Sequence, residues 1–396
     1  MSRFAPVVVL LCAVMASRAG AQVETPQDSA RDTIPARPMV EGGIHDKPFL
    51  TRLMGRTAIG GYAEAHARFA RADGVTEEAG FLLKRWNIFT STQVSDFVRI
   101  GAELEFEEGG EEIKLEYAAI DVGIHPALTL RAGAILAPLG RFNLSHDSPR
   151  NEFTDRPIVS TEIVGTALTE AGVGAFGVVG LGPRGRLTYE LYAVNGFDDG
   201  LITDSPDGTR IPFGRGNFED NNASPALTGR VAWSPRVGYE LGVSGHHGAY
   251  NTFHVDGARI DERNDLTIVA LDVEARVAGI EWSGEAVQAS IDIPAGLRGI
   301  YASGQRGLYL QGMRVFGRGR VWTMPGSYFA VGARLDVVDF DTGLNGDAVQ
   351  RLTGVLNFRP TEDTVLKLDF QRGRSSDRFN NRGDGAAMLF SIATYF

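Results

Sequence analysis

Charged side chains with a capacity for chemistry are concentrated in one polar stretch of this 396-residue chain. Residues 137–169 carry Arg141, His146, Asp147, Arg150, Glu152, Asp155 and Arg156 on a segment punctuated by three prolines. In a confined aqueous space, mixed charges of this kind filter passing solutes by size and charge. A second set recurs at alternate positions along the chain: Arg68, Arg85, Arg99, Arg131, Arg230, Arg334 and Arg351, interleaved with Glu64, Glu103, Glu105, Glu240 and Asp336. Opposed basic and acidic residues would set a transverse field; paired with one another, they would only support a wall.

Signals of catalysis or metal binding fail on inspection. The runs GVGAFG (172–177) and GLGPRG (180–185) match the glycine spacing of a nucleotide loop, but neither opens a helix. His246 and His247 point to opposite faces of a strand, so a shared metal with His254 is not expected. Asp198, Asp199, Asp204 and Asp207 lack the spacing of a calcium loop. No Ser/His/Asp set is evident. The expectation is no enzyme activity, no metal and no cofactor.

The elements that must position these charges are strands. Leu128, Leu130, Ala132, Ala134 and Leu136 alternate with Thr129, Arg131 and Gly133, so a strand delivers the chain to Pro138 and the polar stretch. Loops longer than about 12–15 residues are uncommon and usually functional or disordered. The same period-2 texture runs from Arg56 to Phe396, with 49 glycines and no helix-period segment of any length.

The N-terminus has a different character. Arg3, the apolar residues 5–15 and the Ala19-Gly20-Ala21 site mark residues 1–21 as a secretory signal peptide. Its removal takes away Cys12, the only cysteine, so no disulfide is expected. Residues 22–55 read as a disordered periplasmic arm, with Phe49, Leu50 and Leu53 placed to dock near the base of the strand-rich domain beyond residue 56. No run of about 18 apolar residues remains to form a spanning helix. The formal charge of −10 argues against general nucleic-acid binding.

Counting strands over 56–396 gives sixteen, with fourteen and eighteen left open. Longer polar connections (the stretch 71–80, the tip EEGGEE, residues 137–169, 195–226 and 249–265) alternate with tight turns. Membrane barrels show this rhythm, with short periplasmic turns and longer outer loops. The turn after strand 307–316 is the least defined, because Arg314 breaks the alternation. A barrel of sixteen strands leaves an aqueous channel rather than a packed interior.

A soluble sandwich also alternates, but its polar face would be crowded with lysine. Here lysine occurs only at Lys47, Lys84, Lys114 and Lys367. An arginine facing lipid at the membrane midplane costs about 2–4 kcal/mol, so the arginine face is read as the lumen. Trp86, Trp233, Tyr239, Trp282 and Tyr328 fall near strand ends, as interfacial aromatic girdles do. The last strand places Met388, Phe390, Ile392 and the terminal Phe396 on one face, with Thr394 a departure from the usual hydrophobic residue. Outer-membrane barrels typically end in this way, and the resemblance implies recognition by the barrel-assembly machinery.

The segments GFLLKRWNIFTSTQVSDFVRIGAELEFEEG, IKLEYAAIDVGIHPALTLRAGAILAPLGRF, and YFAVGARLDVVDF with LTGVLNFRPTEDTVLKLDFQ resemble the phosphate-selective porin O and P family. In plan the chain is also similar to general trimeric porins. Phosphate sites in that family rely on ladders of Arg and Lys, and this chain has little Lys to offer. The expectation is an all-β outer-membrane barrel whose third outer loop, 137–169, folds into the lumen. It would be a homotrimeric channel for passive diffusion of small polar or ionic solutes, embedded in outer-membrane lipid. Two rivals remain: an outer-membrane barrel enzyme of lipid-hydrolase type, and a structural or adhesion barrel whose loops plug the lumen.

Overall fold

The computed structural model describes residues 51–53, 57–204 and 208–396; the expected signal peptide and most of the expected N-terminal arm lie outside the described residues. Sixteen strands form a single antiparallel sheet. They are β1 (Thr57–Ala72), β2 (Val75–Gln93), β3 (Val98–Glu107), β4 (Glu112–His125), β5 (Leu128–Leu136) and β6 (Thr169–Gly180). Next come β7 (Arg186–Val194), β8 (Ala226–Arg236), β9 (Tyr239–Ala249), β10 (Asp265–Val277) and β11 (Ile280–Ile291). The set ends with β12 (Gly304–Phe316), β13 (Tyr328–Asp339), β14 (Ala348–Arg359), β15 (Thr364–Ser376) and β16 (Arg382–Tyr395).

Each strand pairs with its neighbours in sequence, and β16 pairs with β1 from Gly385↔Ala72 to Tyr395↔Tyr62, which closes the barrel. Closure leaves no free sheet edge, the condition for strands to cross a membrane. Where β16 ends, a short strand, Thr51–Leu53, takes over the vacated edge of β1 by pairing with Thr57–Ile59.

The two faces of the wall carry different chemistry. Along β3, Glu103, Glu105 and Glu107 are buried while Ile100 and Leu104 are exposed. Along β10, Val269 and Leu271 are exposed while Asp272 is buried. Apolar residues therefore clothe the outside, and the polar face lies within, as lipid on one side and an enclosed interior on the other require. The tight turns lie at one end of the barrel and the long connections at the other. The exceptions are the connection 317–327, an extended segment at the short-turn end, and the short connections 73–74, 108–111 and 377–381 at the long-loop end.

Three local expectations need correction. The stretch 71–80 is not a loop: β1 and β2 continue through it and turn only at Asp73-Gly74, whose φ angles are 48° and 84°. Two successive positive φ values make the primed turn that matches strand twist. Polar side chains beyond the membrane do not interrupt a backbone ladder, so composition misplaced that boundary. Strand β12 begins at Gly304 rather than at residue 307. Tyr328 does not belong to an outer girdle; it is buried, and its hydroxyl donates to Glu362 at 3.0 Å.

The interior is not uniformly polar. Leu266, Ile268 and Ala270 of β10, Val287 and Ala289 of β11 and Tyr309 of β12 are buried together with Ile158, Val159, Ile163 and Val164 of the third long loop. Phe197, Leu201, Ile202 and Ile211 of the fourth loop complete this core. One side of the barrel interior is thus packed by its own loops, an apolar contact that stabilises them against the wall.

Candidate constriction site

The connection between β5 and β6 is the element on which the charged residues converge. Its two ends are clasped by Asn143, whose amide donates to the carbonyls of Ala137 (2.8 Å) and Leu168 (3.0 Å) and accepts from Leu168 N–H (2.8 Å). One asparagine, fully buried, therefore satisfies three backbone groups that an irregular segment would otherwise leave orphaned.

From this clasp the loop traverses the interior. Gly140 N–H donates to Ser244 on β9 at 2.8 Å, Phe142 N–H donates to Glu285 on β11, and Arg141 pairs with Glu274 on β10. The chain then crosses: His146 lies 3.2 Å from Glu116 on β4, and Tyr395 on β16 donates to Asp147 at 2.9 Å. Ser148 donates to Glu64 on β1, while Lys367 on β15 donates to the Ser148 carbonyl at 2.9 Å.

The return path runs along β13 to β15. Glu152 accepts from Asn357 (2.8 Å) and Arg359 (3.0 Å) of β14. Thr154 N–H donates to Asp369 at 2.8 Å. Arg334 of β13 donates to the carbonyls of Asp155 (2.9 Å) and Arg156 (3.3 Å), and Ile158 N–H donates to Asp336 at 3.0 Å. Asp155 itself accepts from Arg68 (2.6 Å), Gln371 (2.9 Å) and Arg351 (3.4 Å). Burial alone would raise its carboxyl, but Arg351 and Arg68 outweigh that and hold it below the usual aspartate range. The loop is thus tied to both sides of the barrel interior, and the third long connection folds inward.

Most of the wall arginines are committed to nearby carboxylates. Arg85 contacts Glu64 (2.8 Å), Glu105 (3.1 Å) and Glu107 (3.0 Å). Arg131 grips Asp121 through two nitrogens and lies over the ring of Phe176 at 4.2 Å. Arg230 meets Asp272 (2.5 Å) and Glu240 (2.8 Å), Arg334 meets Asp336 (2.9 Å), and Arg351 stands 3.6 Å from Asp336. Glu103 is buried and accepts from Asn87 at 2.9 Å. Arg99 is exposed, on the inward face near the short-turn end, away from the others. Buried charges in pairs are tolerated because each relieves the desolvation of the other.

Where loop and wall part, a cavity of about 420 Å³ remains. Arg68, Lys84, Arg85, Arg156 and Arg351 line it, against Glu78, Glu108, Asp155 and Glu162, with His66, Thr154 and Thr161 among the polar remainder. Two buried nitrogens of Arg156, Nε and Nη2, have no hydrogen-bond partner; its Nη1 donates to the Thr166 carbonyl at 3.3 Å. Arg156 borders the cavity and has no ion-pair partner among the described residues, so its charge acts on the space a solute would occupy.

Sequence reasoning brought together Arg68, Arg85, Arg351, Asp155 and Arg156, which line this cavity, but not His146, Asp147, Arg150 and Glu152, which are anchoring or turn residues on the far side of the loop. It missed Asn143, Glu285, Lys367 and Asp369, whose partners are backbone groups more than 200 residues away in two cases. One available signal was the run LTIVAL at 266–271, apolar on both faces, which marks a strand covered on both sides. Among the described residues, no group of His, Cys, Asp or Glu is arranged to hold a metal.

No family model matches the chain. An uncharacterised protein of Aquifex aeolicus is 30% identical over 193 residues, 46% of this chain, and the chain spans only 41% of that relative. Among solved structures, the outer membrane channel DcaP of Acinetobacter baumannii superposes with a TM-score of 0.54 at 12% identity, covering 87% of this chain and 99% of that one. OmpF of Salmonella typhi, in complex with daunomycin, gives 0.54 at 10% identity over 86% and 98%. OprB of Pseudomonas putida gives 0.51 at 10% identity over 86% and 94%. At these identities the likeness is one of fold: the chain is a porin-like barrel of the outer membrane.

Proposed function

We propose that the chain is a passive diffusion channel for small polar or ionic solutes, with the segment 137–168 as its constriction. The observation that carries this reading is the inward loop, fastened to strands on both sides of the lumen and leaving a charged cavity of about 420 Å³. A structural plug would have no need of an arginine that borders this space without an ion-pair partner among the described residues. A lipid hydrolase would need a nucleophile activated by a base on the lipid face, and the exposed His247 there hydrogen-bonds Thr267 at 2.9 Å rather than a serine.

Five cationic side chains stand against four carboxylates around the cavity, and Arg156 is the least neutralised among them. The channel is therefore a weakly anion-preferring one, and the phosphate-type specificity of the family it resembles would demand a longer cationic ladder than this site offers. Reversal potentials in a KCl gradient across a planar bilayer test the reading. A modest anion preference that moves toward cations in Arg156→Glu is expected; absence of any conductance from folded protein would overturn it.

A further inference from the structure

Arginines also occur where lipid-facing residues belong. On β15, Phe370 is 56% exposed and Arg372 and Arg374 continue the same outward face toward the long-loop end. On β1, Phe69 is exposed and Arg71 lies two residues further out on that face. The register joins them. Arg372 pairs with Ala386 on β16, and Ala386 pairs with Arg71, so two guanidiniums flank one small residue in a single row. The next outward row is Phe370, Met388 and Phe69.

Strand spacing places the two arginines about 10 Å apart, and the apolar row about 7 Å deeper along the strands. Arg374 is already paired with Asp384 at 3.1 Å, and Arg71 Nη2 donates to the Gly74 carbonyl. Arg372 has no hydrogen-bond or ion-pair partner among the described residues. An outward arginine is costly at the membrane midplane and tolerated only near the interface, so this row marks the headgroup level. Below it, acyl chains would lie over the apolar row; at its level, the surface offers cations to whatever charge the headgroup carries.

We propose that this row is a binding site for a phosphorylated glycolipid of the outer leaflet. Two separated cations across a small alanine suit a headgroup that carries two phosphates on a sugar, where a single phosphodiester would reach only one. Arg372 and Arg71 receive the phosphates, and Phe370, Met388 and Phe69 receive the chains. The long-loop end is the external end in barrels of this kind, which selects the outer leaflet.

The test is native mass spectrometry of the full-length protein in non-ionic detergent, titrated separately with bisphosphorylated lipid A, its dephosphorylated form and phosphatidylglycerol. The bisphosphorylated lipid should bind at least tenfold more tightly than the other two, and its binding should weaken as salt is raised. Arg71→Gln/Arg372→Gln should lose that advantage, with Arg372→Gln alone as the second variant if the pair perturbs folding, which heat-modifiable gel mobility reports. Equal binding of the dephosphorylated lipid or of phosphatidylglycerol, or undiminished binding by the folded variant, would overturn the assignment.

Discussion

Asp155 shows how a single residue decides the position of the inward loop. It is the loop carboxylate that three wall side chains reach for, Arg68, Arg351 and Gln371, and the neighbouring backbone carbonyls are held by Arg334. Because its carboxyl is held below the usual aspartate range, the stabilisation is fully present above that range and lost only as pH falls through the lower, folded-state value. Single-channel currents of the wild type should therefore keep constant noise from neutral pH down to about 4, with loop fluctuations growing below it. Asp155→Asn should show the noisy state at every pH. Noise rising already near pH 6 in the wild type would contradict Asp155 as the anchor. The importance of Asp155 was partly legible in the chain, since a carboxylate beside Arg156 in a polar loop invites pairing. Which arginines it meets was not, because Arg68 and Arg351 are brought to it only when the barrel closes.

Elements divide the same way. Strands were readable because the alternation of apolar and polar residues is imposed by two different environments, and fifteen connections interrupt it at nearly the expected places. Where the reading slipped, as at 71–80, a polar composition outside the membrane coexisted with a ladder that continues, through a register shift between Ala70 and Arg71, to Asp73-Gly74. The inward fold of the third long loop was readable from its length and charge. Its hold on the wall was not: Asn143 clasping Ala137 and Leu168, and Val159, Ile163 and Val164 packing on β10 to β12, are long-range consequences of topology. The loop's role is testable as an element. Deleting residues 143–157 removes the Asn143 clasp and the contacts to β1, β4, β14, β15 and β16, with those of Arg334 on β13, while the backbone hydrogen bond from Ala137 N–H to the Leu168 carbonyl at its base can persist. Planar-bilayer conductance should rise at least about twofold, since the narrowest segment of a pore dominates its resistance. An unchanged conductance in a variant that retains heat-modifiable mobility would show that the loop does not constrict the path.

For the whole molecule the decisive event is closure between the first and last strands, since an open barrel leaves unpaired backbone groups in lipid. The seam ends in a compact lock. Gly61 and Phe396 exchange backbone hydrogen bonds of 3.1 and 3.0 Å, and the Phe396 ring lies on Trp86 with centroids 5.0 Å apart. A side chain at Gly61 would bring its Cβ to 2.2 Å from the Asn87 carbonyl and 2.5 Å from the Phe396 ring, so only glycine admits this approach. On the inner side Tyr62, Phe89 and Tyr395 pack together beneath the seam. Two backbone hydrogen bonds at about 1 kcal/mol each and one aromatic contact of about 1 kcal/mol make the terminal residue worth roughly 3 kcal/mol to the closed state. Removing Phe396 should therefore slow refolding into lipid vesicles and lower the temperature at which the barrel loses its heat-modifiable mobility. Gly61→Val should do the same by forcing the ring away, although it leaves the terminus intact. Because the inward loop reaches the seam through Asp147 and Tyr395, a loosened seam should also appear as added noise in single-channel currents if the proposed channel reading holds. Faster unfolding with quiet currents would separate closure from the loop, and normal refolding of both variants would show that the lock contributes nothing to assembly.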